Sequence, residues 1–139
     1  MNFAETRQRL ESVTKHLAEM DLILSVHLAK VDSNAETEQV KIAKEIRILD
    51  SAIDDAGRRR RWSVVESLTP KKDELLDRFH ELSIAAAAAK QQIKLDHFRA
   101  THDAKDERDQ LARTLDAAAA LARQREMQER MHRKIPVMR

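Results

Sequence analysis

Four consecutive arginines, Arg58, Arg59, Arg60 and Arg61, lead into the only tryptophan of the chain, Trp62. Guanidinium groups grip phosphate or carboxylate oxygens, and an indole stacks on a base or sits at a lipid headgroup. Neighbouring residues of a helix point in different directions, so some of the four must turn away from any packed face. The same arginines have Glu66, Asp73 and Glu74 within reach in sequence, and Trp62 has Leu75 or Leu76 to cover. Over residues 55–75 six basic side chains meet four acidic ones. A solvated hairpin tip, or contact with an acidic protein, is therefore a better expectation than nucleic acid.

A second cluster gathers Arg123, Arg125, Arg130, Arg133, Lys134 and Arg139 against Glu126 and Glu129. Cations at a helix C-terminus complement its dipole, and they also make an electropositive end that can seat on an acidic surface. Met127 and Met131, with Ile135, Val137 and Met138 after them, supply adaptable apolar contacts.

Other chemistry finds little support. No two of the six histidines stand four apart, and the nearest approach to a metal site is His97 and His102 beside Asp96 and Asp103. There is no cysteine, and one isolated glycine makes no phosphate-cradling loop. The carboxylates have no pocket to perturb them. Neither an enzyme nor a cofactor is expected.

The elements that carry these clusters follow from periodicity. Phe3, Leu10, Leu17, Leu24 and Val31 fall seven apart, with Val13, Met20 and His27 between them. That is the stripe of a helix buried against a partner helix. The step from Val31 to Ile42 is eleven residues, and so is the step from Ile93 to Ala104. An eleven-residue step keeps the stripe while relaxing the supercoil. Around these steps Asn34, Ala35, Glu38, His97, Ala100 and Ala104 are small or polar, and His27 and His97 are expected on the seam as register-fixing polar residues.

Asn2 with Glu5 resembles a capping box, and Thr69-Pro70 reads as a new N-cap and first turn, because Pro inside a helix costs ~3 kcal/mol. Asp73 and Glu74 then suit the new helix dipole, and Pro136 stops the chain's last helix. The expected fold is all-α: a long antiparallel two-helix coiled-coil hairpin over residues 1–139. Its arms are 2–67 and 70–134, with the tip at 67–70 and a tail at 135–139. Each arm is then roughly 95 Å long, and position i lies opposite roughly 137 − i. The alanine runs 85–89 and 117–120 then face Leu49–Ala52 and Leu17–Met20. Gly57 either ends the first arm early or makes room for Phe79 or His80 across the seam. The alternative is a three-helix bundle with a break near 32–35, capped by Asp32-Ser33-Asn34 with Glu36.

With 36% charged and 3% aromatic residues the chain is poor in globular core, and its net charge of +2 is near balance. No apolar run approaches the length of a membrane span, and the N-terminus lacks a signal peptide's layout. A cytoplasmic protein without membrane insertion is expected, as a monomer or weak dimer.

The opening Met1-Asn2-Phe3, with Arg7, Leu10, Val13 and Leu17, resembles the start of the FliJ/YscO family of type III secretion proteins. The stretch from Arg123 to Arg130, followed by a short basic tail, resembles that family's charged closing helix. The resemblance implies a stalk or adaptor of a virulence or flagellar export apparatus, peripheral at the inner membrane through that apparatus. Its termini end (Arg123, Arg125, Met127, Arg130, Met131, Arg133, Lys134 and Phe3–Leu17) would enter a hexameric secretion ATPase. The region Arg58–Trp62 would face the export gate, and chaperones are further partners. Flagellar members meet the gate through aromatic positions, and this chain has no Tyr, which favours a virulence-type member. Two other readings compete: a nucleic-acid-associated coiled coil working through Arg58–Arg61, and a self-assembling structural coiled coil.

Overall fold

In the computed structural model, which describes residues 2–134, the chain forms two α-helices packed against each other. They are α1 (Phe3–Arg58) and α2 (Trp62–Lys134). The all-α hairpin expected from the periodicity is the observed fold. The start of α1 is the expected capping box: the Glu5 amide donates to Asn2 Oδ1 at 2.8 Å, and the Asn2 amide faces Glu5 Oε2 at 3.4 Å. The helix does not break at 32–35, so there is no third helix among the described residues. Asp32 is spent across the seam, on Lys90 at 2.9 Å, rather than on capping. Ser33 gives its carbonyl to the Thr37 hydroxyl at 2.8 Å.

The turn is not at 67–70, and the arms are not equal. Helix α1 ends at Arg58 and α2 begins at Trp62, so the arms are 56 and 73 residues long. The Arg61 amide donates to the Ala56 carbonyl at 2.8 Å and the Arg60 amide to the Gly57 carbonyl at 3.1 Å, with Arg60 at φ 58°. This is a Schellman ending with arginine in the left-handed place that glycine usually takes. A side chain there costs roughly 1 kcal/mol. Gly57 stays helical three residues earlier, and beyond its chain neighbours and its own helix backbone nothing lies within 4 Å of where its Cβ would be, so it makes room for neither Phe79 nor His80.

Pro70 lies inside α2. It has no N–H to offer the Glu66 carbonyl, a loss that ordinarily ends a helix. The helix persists because Val65 and Leu68 before the proline share a half-buried line with Leu75 and Phe79 after it. Ending α2 at Thr69 would strip both from α1. Thr69 is no N-cap, since its hydroxyl donates to the Val65 carbonyl at 2.8 Å.

The covered positions of α1 run Thr6, Leu10, Val13, Leu17, Met20, Leu24, Leu28, Val31, Ala35, Gln39, Ile42. Steps of four, four and three therefore occur twice, from Met20 to Val31 and from Val31 to Ile42. Along α2 the same double step takes in Leu82, Ala86, Lys90, Ile93, His97, Thr101 and Ala104. The expected eleven-residue steps are present, each with a second one before it. His97 does sit on the seam. His27 does not: the four-step from Leu24 hands its place to Leu28 and leaves His27 exposed. Phe3 is also off the seam, 48% exposed, with the Arg7 guanidinium 4.8 Å over its ring.

The chain divides into two compact units, Ile23–His97 and Met1–Leu22 with Phe98–Arg139. Within the first, Asp32 pairs with Lys90 and Asp50 with Lys72, which sets position i against about 122 − i. The displaced turn accounts for the change from the expected 137 − i. The alanines 85–89 accordingly oppose residues 33–37 and not 49–52. The Gln39 amide donates to Ser83 Oγ at 2.6 Å and to the Phe79 carbonyl at 3.2 Å, so this polar seam residue is satisfied. Within the second unit Val13, Leu17, Thr6 and Thr101 are buried.

Candidate protein-binding surfaces

In the unit formed by the two ends of the chain, Arg9 clasps Glu107 with two contacts, Nε–Oε1 at 2.5 Å and Nη2–Oε2 at 3.1 Å. The hydrogen bond and the charge of Arg9 hold the Glu107 carboxyl below the ordinary carboxylate range. This pair sets position i against about 116 − i, so α2 passes the start of α1 near residue 113. The alanines 117–120 therefore lie at or beyond the first turn of α1, and not opposite Leu17–Met20. Every residue from Ala120 to Arg133 is exposed.

That stretch holds most of the termini-end residues singled out from sequence. Arg123, Arg125, Met127, Arg130, Met131 and Arg133 all lie on exposed α2, and Lys134 is its last helical residue. Ile135, Pro136, Val137, Met138 and Arg139 fall outside the described residues. At 100° per residue, Ala122, Glu126, Glu129 and Arg133 continue the half-buried line of Ala104, Leu111, Leu115 and Ala118. Beyond the start of α1 that line turns polar from Glu126 on. Leu121, Met127 and Met131, each more than half exposed, gather on the other side of the helix. Arg123 and Arg130 border them on one flank. Arg123 donates to its own helix, to the Ala119 carbonyl at 3.4 Å. Among the described residues no ion pair engages Arg125, Arg130 or Arg133.

The second cluster is built by the turn itself. Arg58 closes α1, Arg59, Arg60 and Arg61 make the connection, and Trp62 opens α2. Of the acids expected to meet these arginines none does; Arg59 pairs instead with Asp55 one helical turn back, at 3.5 Å. Trp62 covers neither Leu75 nor Leu76. It is 61% exposed and lines a shallow groove with Ile53, Asp54, Gly57, Arg58 and Val65. The placement of the turn on the arginine run is the feature that sequence reasoning missed. Two signals were available: Gly57, read as a possible early end of the first arm, stands one residue before the end of α1, and Val65 and Leu68 extend the stripe of Leu75 and Phe79 backward through the proline.

Among the described residues no group of three or more His, Asp or Glu could hold a metal ion, and no helix is long and apolar enough to cross a membrane. His102 instead meets Asp106 at 3.5 Å, one helical turn on. Searches against protein-family models, curated proteins and solved structures find no match to this chain.

Proposed function

We propose that this chain is a non-enzymatic coiled-coil stalk or adaptor that acts by binding other proteins, in a type III secretion export apparatus. Its principal partner is a hexameric secretion ATPase, with the export gate and chaperones as further partners. The observation that carries this reading is the exposed stretch of α2 beyond the start of α1. A lone helical segment of this length is marginal in water, so a partner that packs on it gains both burial and helix stability. Its methionines adapt to an apolar cleft, and its arginines suit an acidic rim. The FliJ/YscO resemblance lies in part on the same residues, Arg123 to Arg130, and names the partner class.

The test is binding of the purified chain to a type III secretion ATPase, compared with the triple variant Arg125→Glu, Arg130→Glu, Arg133→Glu. The variant is expected to lose binding by at least about 100-fold, two such contacts being worth that much, with unchanged helicity by circular dichroism. An ATPase that ignores the wild-type chain, or binds the variant equally, overturns the proposal.

Lateral self-assembly is a second reading, supported by a different face. In the unit Ile23–His97, the exposed side chains Ile23, Val26, Val40 and Ile48 lie on the side of α1 turned away from α2. Light scattering decides it: a dimer that Val26→Glu with Val40→Glu dissociates supports this reading, and a monomer at high concentration removes it.

A further inference from the structure

The turn between α1 and α2 keeps charge and an aromatic ring in water that the fold does not use. Arg60 holds a left-handed φ of 58°, where glycine would close the same turn without strain. Arg58, Arg60 and Arg61 have no ion pair among the described residues, and only Arg59 meets an acid. Beside them stand Trp62, 61% exposed, and Val64, 38% exposed. A backbone outlier retained at an exposed charged residue points to a role for that residue outside the fold.

The arrangement also says what such a role would meet. Four consecutive residues passing through a tight turn spread their side chains around it and do not line a track. A nucleic-acid strand would be gripped by basic residues in a row leading away from the turn. The next bases along α2 are Lys71 and Lys72, nine and ten residues beyond Trp62 and so roughly 13 Å up the helix, too far from the arginines to continue a row, and Lys72 is held by Asp50. A fan of guanidiniums around an exposed indole instead matches a plane of negative charge met end-on.

We propose that the α1–α2 turn docks on an anionic phospholipid surface, with Arg58, Arg60 and Arg61 on lipid phosphates and Trp62 and Val64 among the headgroups. Arginines near such a surface are attracted over about one Debye length, ~8 Å at physiological ionic strength. Indole rings favour this interfacial layer. No described helix crosses a membrane, so the contact is peripheral. It is independent of the ATPase contact proposed for the far part of α2.

Trp62 is the only tryptophan, so its emission reports the contact directly. With vesicles of equal parts phosphatidylglycerol and phosphatidylcholine, a blue shift and co-flotation are expected, both reversed by raised salt. Pure phosphatidylcholine vesicles should give neither. The variant Arg58→Ser, Arg60→Gly, Arg61→Ser should lower partitioning by roughly 100-fold, from three near-surface charges. Arg60→Gly alone removes charge while relieving strain, so its weaker binding cannot come from lost folding. No shift with anionic vesicles, or full binding by the triple variant, overturns the proposal. So does a single-stranded oligonucleotide that quenches Trp62 where vesicles do not.

Discussion

At the scale of single residues, the turn shows how local preference and position can part company. Gly57 sits in a helix, where it is about 1 kcal/mol worse than alanine, and Arg60 sits where glycine belongs. Gly57→Ala has space for its methyl and should raise stability by about 0.5–1 kcal/mol. Arg60→Gly should raise it by up to ~1 kcal/mol. Thermal denaturation of the two single variants and the double variant checks both, and a loss of stability in either contradicts the turn described. The Arg9–Glu107 clasp makes a prediction in pH. Glu107 titrates below its ordinary value of 4.5 in the folded chain, so its contribution is present above that pH and is lost as pH falls through the lowered value. Glu107→Gln should therefore be less stable than wild type at neutral pH, with the gap closing on acidification. Melting curves at low salt read this difference, which an exposed pair keeps modest.

At the scale of elements, α2 sets its local breaker against its apolar stripe, and the stripe prevails. Pro70→Ala restores the hydrogen bond to the Glu66 carbonyl and should stabilise the chain by about 1–3 kcal/mol, read by denaturant unfolding. A destabilised variant would mean that the packing of Val65 and Leu68 depends on the proline. Thr69-Pro70 is a strong sequence signal for a helix start, and Asp73 and Glu74 strengthen it, so sequence alone puts the end of α1 nine residues and the start of α2 eight residues too late. That one displacement carried the register, the facing of both alanine runs and the equality of the arms with it. What was legible was the seam: Leu10, Val13, Leu17, Met20, Leu24 and Val31 are covered as their spacing requires, and so are Ile42, Ile46, Leu49 and Ile53. His27 and Leu28 were not separable from sequence alone, because a stutter may be inserted at either level of a continuous stripe. The basic clusters were legible as residues. Their exposure, and the stretch of α2 left without α1, were not, because both depend on where the chain turns.

At the scale of the whole molecule, charge is plentiful but nearly balanced, and what distinguishes the two clusters is position. One occupies the turn and the other the part of α2 that α1 does not cover, and apart from Arg59, which meets Asp55, no ion pair engages their described arginines. We propose that a protein partner completes the uncovered helix of residues 121–133. Hydrogen–deuterium exchange of the chain, alone and with a type III secretion ATPase, tests it most directly. Fast exchange over 121–134 in the free chain, slow exchange around Val13 and Leu17, and protection of 121–134 on adding the ATPase are expected. Slow exchange of 121–134 in the free chain, or no change with the ATPase, would contradict it.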